Sequence, residues 1–496
     1  MSKEKVLNSD WNILKFVECI HQLNTGLNPR KNFSLGTGEL KYITAKNLTK
    51  SGTIDFSKCD FIDEDAKRII NKRSDIQVGD ILFSSRAPIG HYHLIKDEPY
   101  YYDIGESIFS IRVNKEIVLP EYLCLYLSGD YFIKFASKHT TGSIILEIRI
   151  SDLMNTKIIV PPKHTQKSIA ECLNKIDKKI EINNKINEIL QQQASLLYDY
   201  WFTQFDFPDE NGKPYKSSGG KMVWNEDLKR EIPAGWSHTT FSNFIKETKS
   251  GDWGKETSQG NYINKVRCIR GADFPSMNSG LLNAPYRFIL ERNSCKELSD
   301  GDIIVEISGG SPIQSTARIV YINEITLKRF STNIITSNFC RAISLNENYF
   351  QYWFYLCWKK LYDYNVFFGY EGKTTGIKNF LFDDFINTYK IVSPSINIIM
   401  KFNDIISLIY NKIQLNNIEN DELTSLRDWL LPMLMNGQAT VEEKQKPVLH
   451  VCENGTKNEQ DHRFALWLQN EGLAARGDID RQTLREIFDA MDDDDK

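Results

Sequence analysis

The sequence predicts an α+β chain: two duplicated α/β globules separated by two long helices packed as an antiparallel coiled coil about a pseudo-two-fold, with a small C-terminal helical extension. Three observations carry this. Apolar residues spaced alternately four and three apart, the mark of a helix seam, run through Ile169, Leu173, Ile176 and Ile180 and continue through Asn183 and Asn187 to Leu190. The seam returns as Phe402, Ile406, Ile409, Ile413, Asn416, Asn420 and Leu423, at a constant offset of 233 positions (169 to 402, 190 to 423). Strings upstream of each helix recur as well. Lys157-Ile158-Ile159-Val160-Pro161-Pro162 answers to Lys390-Ile391-Val392-Ser393-Pro394-Ser395, Thr140-Thr141-Gly142 to Thr374-Thr375-Gly376, and Val78-Gly79-Asp80-Ile81 to Asp300-Gly301-Asp302-Ile303. Chance supplies an apolar period readily, but hardly two matching seam asparagines. A repeat of this kind decides architecture before local propensity does.

Taken in order, residues 1–162 read as the first globule. Its short segments, such as Asp80-Ile81-Leu82-Phe83 and Ser107-Ile108-Phe109-Ser110-Ile111, are β-branched and aromatic and bounded by turn formers. Residues 120–137 read as an amphipathic helix opened by Pro120, with Tyr122, Leu125, Tyr126 and Phe132 as apolar positions. Pro161-Pro162 stops the last strand, and the first spacer helix occupies residues 163–207, its helical core at 165–201. Residues 208–231 form a linker of turn formers, among them Asn211-Gly212-Lys213-Pro214 and Ser217-Ser218-Gly219-Gly220. The second globule spans 232–395 and the second spacer helix 396–436, with Pro432 expected to end it. Residues 437–496 are a polar, acidic extension, closing on an Asp-Asp-Asp-Asp-Lys string that also occurs in engineered tags and is given no weight.

Composition bounds the function classes. A chain of 496 residues suits several domains, and 27 Phe with 22 Tyr supply more than one core. A net charge of −4 excludes a globally basic nucleic-acid coat, so any such contact must come from local patches. Nine Cys without a C-x-x-C pair argue against a disulfide framework or zinc ribbon. No apolar run reaches a membrane span and no signal peptide opens the chain. A cytoplasmic location without membrane contact is expected.

Equivalent seams placed face to face give an antiparallel pair. Seam asparagines cost stability but fix register; alternatively they face solvent and Ile182, Ile186 and Ile189 carry the packing. A helix of about 30 residues is about 45 Å long. It holds two globules about one turn of duplex DNA apart, or slightly more, close to the 34–36 Å between half-sites. A stiff spacer with a reader at each end suits a bipartite site.

At this point the chain resembles the specificity (S) subunit of type I restriction-modification systems. The motifs are the two-copy layout, the proline stops before each spacer, and Tyr198-Asp199-Tyr200-Trp201-Phe202. The bridge from Phe207-Pro208 through Gly212-Lys213-Pro214-Tyr215-Lys216-Ser217-Ser218-Gly219-Gly220 to Ile232-Pro233-Ala234-Gly235-Trp236 is similar too, as is Leu431-Pro432-Met433-Leu434-Met435-Asn436-Gly437-Gln438. The resemblance covers residues 11–440; the segment after Val441 departs from it. It implies two target-recognition domains, each reading half of an asymmetric double-stranded DNA target. It also implies spacer helices that bind two methyltransferase (M) subunits, with restriction (R) subunits joining for cleavage. S-adenosylmethionine, ATP and Mg are then expected on the partner subunits and no cofactor on this chain.

Base reading in the major groove needs Arg or Lys toward guanine and Asn or Gln toward adenine; phosphates take Arg, Lys, hydroxyls and glycine-turn amides. Loops with that chemistry recur in both copies. In the first they are residues 41–50 with Lys46, 84–91 with Ser85, Arg86 and His91, and 138–143 with Lys138, Thr140 and Thr141. In the second they are 267–270 with Arg267 and Arg270, 308–314 with Ser311 and Gln314, and 370–378 with Lys373, Thr374 and Thr375. Arg86 suits a guanine, or an ion pair with Glu106.

Catalytic constellations are not legible. Gly372-Lys373-Thr374 imitates the end of a P-loop, but the required glycine position holds Phe367. No Asn-Pro-Pro-Tyr string for adenine methylation is present, and His91, His93, His139 and His164 are too scattered for zinc. A non-catalytic recognition subunit is therefore expected. The rival readings are a self-contained restriction-modification enzyme and a two-headed scaffold that never touches nucleic acid.

Overall fold

The computed structural model describes residues 10–441 except 130, 131, 134–146, 310, 312, 375 and 376. The extension from 442 onward and the far end of the expected 120–137 helix lie outside the described residues. That helix is described as Pro120–Ser128, with proline at its first turn and Gly129 at its C-cap.

Two mixed lobes are built on the same strand order. In the first, an antiparallel four-stranded sheet runs Ile20–Thr25, Ile108–Val113, Ile81–Ser84, Tyr92–Leu94. A three-stranded sheet runs Asp60–Ile62, Leu40–Ile43, Tyr102–Ile104, its last pairing parallel. Asn12–Lys15 pairs with Lys157–Val160, so the lobe's first strand closes on its last. The second lobe has Ile245–Ser250, Cys340–Leu345, Ile303–Glu306, Ile319–Tyr321 in one sheet and Tyr286–Leu290, Tyr262–Ile269, Ile334–Thr336 in another. Ser237–Thr240 pairs with Lys390–Ser393.

The recurrent Gly-Asp strings explain themselves as turns. Gly79 and Gly301 have φ of +92° and +84°, left-handed values that glycine adopts without strain. The following aspartates accept the turn amides, Asp80 from Gln77 N at 3.0 Å and Asp302 from Ser299 N at 2.8 Å. Both are buried, and each lobe neutralises its own differently. Arg112 pairs with Asp80, whereas Lys249 and the Ser344 hydroxyl serve Asp302. A buried carboxylate without such a partner is costly.

The first long helix is Lys163–Tyr198, continued by a π-helical turn at Asp199–Thr203. The second is Ile396–Met435 and passes through Pro432, which was expected to end it. A proline forfeits one backbone hydrogen bond, but here Leu431, Leu434 and Met435 beyond and beside it are buried in the first lobe's core and hold the last turn. The 208–231 linker is also less bare than turn chemistry suggests: Met222–Asn225 and Arg230–Pro233 form a hairpin.

The helices pack antiparallel. Asp177 pairs with Arg427, Lys179 with Glu419, and Asn187 with Asn416 and Asn417. Among the seam residues Ile169, Leu173, Asn183, Asn187, Phe402, Ile406, Ile413 and Asn416 are buried, while Ile176, Ile180, Ile409 and Asn420 are half-buried. Ile182, Ile186 and Ile189 are exposed. The seam does not serve one partner throughout. Ile169 and Leu173 pack into the first lobe beside Leu431, Leu434 and Met435; Phe402, Ile406 and Tyr410 pack into the second beside Ala194, Tyr198, Trp201 and Phe202. Phe402 meets Phe202 edge-on with centroids 4.9 Å apart. Each lobe is thus seated on the start of one helix and the end of the other.

Candidate nucleic-acid interface

In the second lobe the second and third expected loops are brought together by backbone pairing; in the first, the loop 138–143 lies outside the described residues, and the second loop pairs with residues 147 and 148 just beyond it. Arg86 bridges Glu147, with Ile148 N donating to Ser85 O at 2.9 Å. In the second lobe Ser308 and Gly309 pair with Asn379 and Lys378. The first expected loop joins the group through His91, whose Nδ1 donates to Leu48 O at 2.6 Å.

Several of the expected side chains are engaged within the protein, and Arg86 takes Glu106 as its ion-pair partner, one of the two roles the sequence suggested for it. Ser85 is fully buried, because its backbone is pinned between Ser107 and Ile148, and it is corrected from a surface contact to an interior one. Arg86 Nη1 donates to Glu106 Oε1 at 2.9 Å, and its Nε lies 3.3 Å from Glu147 Oε1 without hydrogen-bond alignment. Asn28 Nδ2 donates to the other Glu106 oxygen at 2.6 Å. The Asn28 amide first, and then Arg86, hold the Glu106 carboxyl below the usual carboxylate range. Arg270 grips Asp273 bidentately at 3.0 and 2.7 Å. Lys46 is exposed on the turn Ala45–Asn47.

Gln314 and Ser311 form a projecting tip, where Gln314 N donates to Ser311 Oγ at 3.1 Å and Ile313 is 87% exposed. The tip is braced from behind: Glu371 Oε1 accepts from Thr316 N at 2.8 Å and Lys378 pairs with Glu371 at 3.1 Å. Lys373 and Thr374 lie on the adjoining strand Glu371–Thr374. Lys138, Thr140, Thr141 and Thr375 lie outside the described residues.

A further pattern sits on the three-stranded sheets. Lys41 Nζ lies 3.8 Å from the centroid of the Phe61 ring, its cross-strand partner. Arg267 Cζ lies 3.6 Å from the ring of its own cross-strand partner Tyr286, with Lys265 Nζ at 4.1 Å from the same ring. Arg267 Nη1 also donates to Ala284 O at 2.6 Å. The aromatic partners were not singled out from sequence; the signal available was strand alternation, which puts Lys265 and Arg267 on one face.

The family model for the type I restriction modification DNA specificity domain matches residues 8–192. The type I restriction enzyme MjaIX specificity subunit of Methanocaldococcus jannaschii is 26% identical over 451 residues, covering 88% of this chain and 94% of that protein. The HindI specificity subunit of Haemophilus influenzae is 33% identical over 136 residues, 26% of this chain and 29% of that protein. A solved type I S subunit from M. genitalium aligns over 88% of this chain and 99% of its own, with 17% identity and a TM-score of 0.48.

Proposed function

We propose that the chain is a type I restriction-modification specificity subunit, a reading supported by the family match over residues 8–192 and the similarity to the MjaIX subunit, and that its two lobes are duplicated target-recognition domains. Each reads one half of a bipartite double-stranded DNA target, and the helix pair is the antiparallel coiled coil that fixes their separation. The observation that carries this reading is the seating of each lobe on both helices, since a lobe gripped by two ends cannot swing on one. The first helix, at 36 residues, is about 54 Å long, enough to set the lobes apart by at least the 34–36 Å of a helical turn of duplex. Strand order shared by the lobes supports duplication, and the loops that carry Arg86, Arg270 and Gln314 are the base-reading surface, with those three residues as principal candidates.

Methyltransferase subunits dock on the outside of the helix pair, with restriction subunits joining for cleavage. The catalytic chemistry, with its S-adenosylmethionine, ATP and Mg, belongs to those partners, and this chain is the recognition component. In support, Ile182, Ile186, Ile189 and Leu196 form an exposed apolar stripe on the first helix, and Leu408 and Leu415 are exposed on the second. Apolar stripes of that extent on water-facing helices mark protein interfaces. Sequencing of methylated bases in cells with and without this gene tests the function: a split motif that appears only with the gene is expected, and unchanged methylation contradicts it.

A further inference from the structure

Equivalent loop positions of the two lobes carry different chemistry: Arg86 of the first lobe occupies the bridging position that Ser308 occupies in the second. The cation–aromatic couples break that divergence. Lys41 and Arg267 both lie on the middle strand of a three-stranded sheet, each directly opposite an aromatic on the antiparallel neighbour and each paired on its other side to a parallel strand. Among the described residues no carboxylate lies within ion-pair distance of Lys41, Lys265 or Arg267. Arg86, Arg112, Arg270 and Arg318, by contrast, are neutralised by carboxylates at 2.7–2.9 Å. A hydrogen bond with Ser331 first, and then Arg267 and Lys265, hold the Tyr286 phenol below its usual value.

Chemistry that is alike in both lobes is unsuited to telling two different half-sites apart. It suits what both half-sites share. We propose that Lys41 on Phe61, and Lys265 with Arg267 on Tyr286, are matched contacts to the phosphate backbone of duplex DNA, giving sequence-independent affinity at both ends of the target. The proposal rests on the DNA-reading function above. A lysine resting on a ring keeps its ammonium N–H groups available for phosphate oxygens and is already ordered, so less side-chain freedom is lost on binding; Arg267, with Nη1 on Ala284 O and Nε buried, offers only its remaining guanidinium N–H groups. Un-neutralised cations are the groups whose contacts release counterions from DNA.

The test measures binding of the full-length chain to a random-sequence duplex by fluorescence anisotropy across salt concentrations. The double variant Lys41→Gln/Lys265→Gln is compared with Lys175→Gln/Lys178→Gln, an equal charge loss at exposed positions of the first long helix. The first pair should bind about tenfold more weakly at low salt, with the salt slope shallower by about 2, while its melting temperature and the methylated motif in cells stay unchanged. Lys41→Arg/Lys265→Arg should restore both affinity and slope. Phe61→Leu/Tyr286→Leu should weaken binding about twofold to threefold with the slope kept, because the charges remain and only their ordering is lost. Wild-type affinity and slope in the glutamine pair, an equal loss in the helix pair, or a changed motif would each overturn the proposal. Failure of the wild-type chain to bind any duplex would instead remove the DNA-reading function on which it rests.

Discussion

Asp103 shows how one buried side chain can set a pH dependence. It is fully buried, accepts from Ser74 Oγ at 2.7 Å and Ile104 N at 2.8 Å, and burial pushes its pKa up to about 6. The unfolded carboxyl titrates near the usual value of about 3.9. With the folded value above the unfolded one, the stabilising contribution is complete below about pH 4 and is lost as pH rises through 6. Asp103→Asn cannot ionise, so the wild type should lose roughly 2–3 kcal/mol relative to it between pH 3 and pH 8, about half of that above pH 5; a melting-temperature difference that stays flat over that range contradicts the assignment. Arg86 supplies a second prediction. To read a base it must leave Glu106, so Glu106→Gln should raise duplex affinity about threefold, and Arg86→Ala should alter only the first half of the methylated motif. If the complex carrying Arg86→Ala methylates the same sequence at the same rate and salt dependence, Arg86 is removed from the reading surface. At this scale the sequence supplied residue types and one pairing, Arg86 with Glu106. The other acids beside Arg86 and Arg270, Glu147 and Asp273, are recognisable only once the chain is folded. Ser85 went astray because a polar residue in a loop string carries no mark of its burial.

The long helices were the most legible elements, since a period sustained over 22 residues in each, 169–190 and 402–423, leaves little freedom of interpretation. What the period left open was which partner each stretch of the seam meets. The middle meets the other helix through Asp177–Arg427 and the asparagine cluster, and the ends meet the lobes. Asn417, buried and bonded to Asn187, lies one residue off the repeating pattern and was missed for that reason. The Asp177–Arg427 pair is mostly withdrawn from water. Asp177→Ala should therefore cost roughly 2–4 kcal/mol by leaving the guanidinium uncompensated, measured by denaturant unfolding; a cost near zero would mean that the pair is as wet as a surface bridge. Phe402→Ala, which empties the contact among Tyr198, Trp201 and Phe202, should cost about 3–5 kcal/mol. A loss below 1 kcal/mol would show that the second lobe is not fastened there. Pro432 was misread because its backbone penalty is visible in sequence while the offsetting burial of Leu431, Leu434 and Met435 is not.

On the scale of the whole molecule, two lobes share a strand order and are clamped to opposite ends of one antiparallel pair of helices. The repeat of 233 positions made this plan readable, because it links distant segments without any knowledge of their contacts. Under the proposed DNA-reading function, this plan ties length of protein to length of DNA. Seven residues inserted into each long helix, at corresponding places in the middle of the seam, keep the apolar faces aligned and lengthen the rod by about 10.5 Å. That is about three base pairs at 3.4 Å each. Sequencing of methylated DNA from cells carrying the lengthened chain gives the decisive reading. The account predicts the same two half-sequences separated by about three more base pairs; an unchanged gap, or altered half-sequences at the old gap, would contradict it.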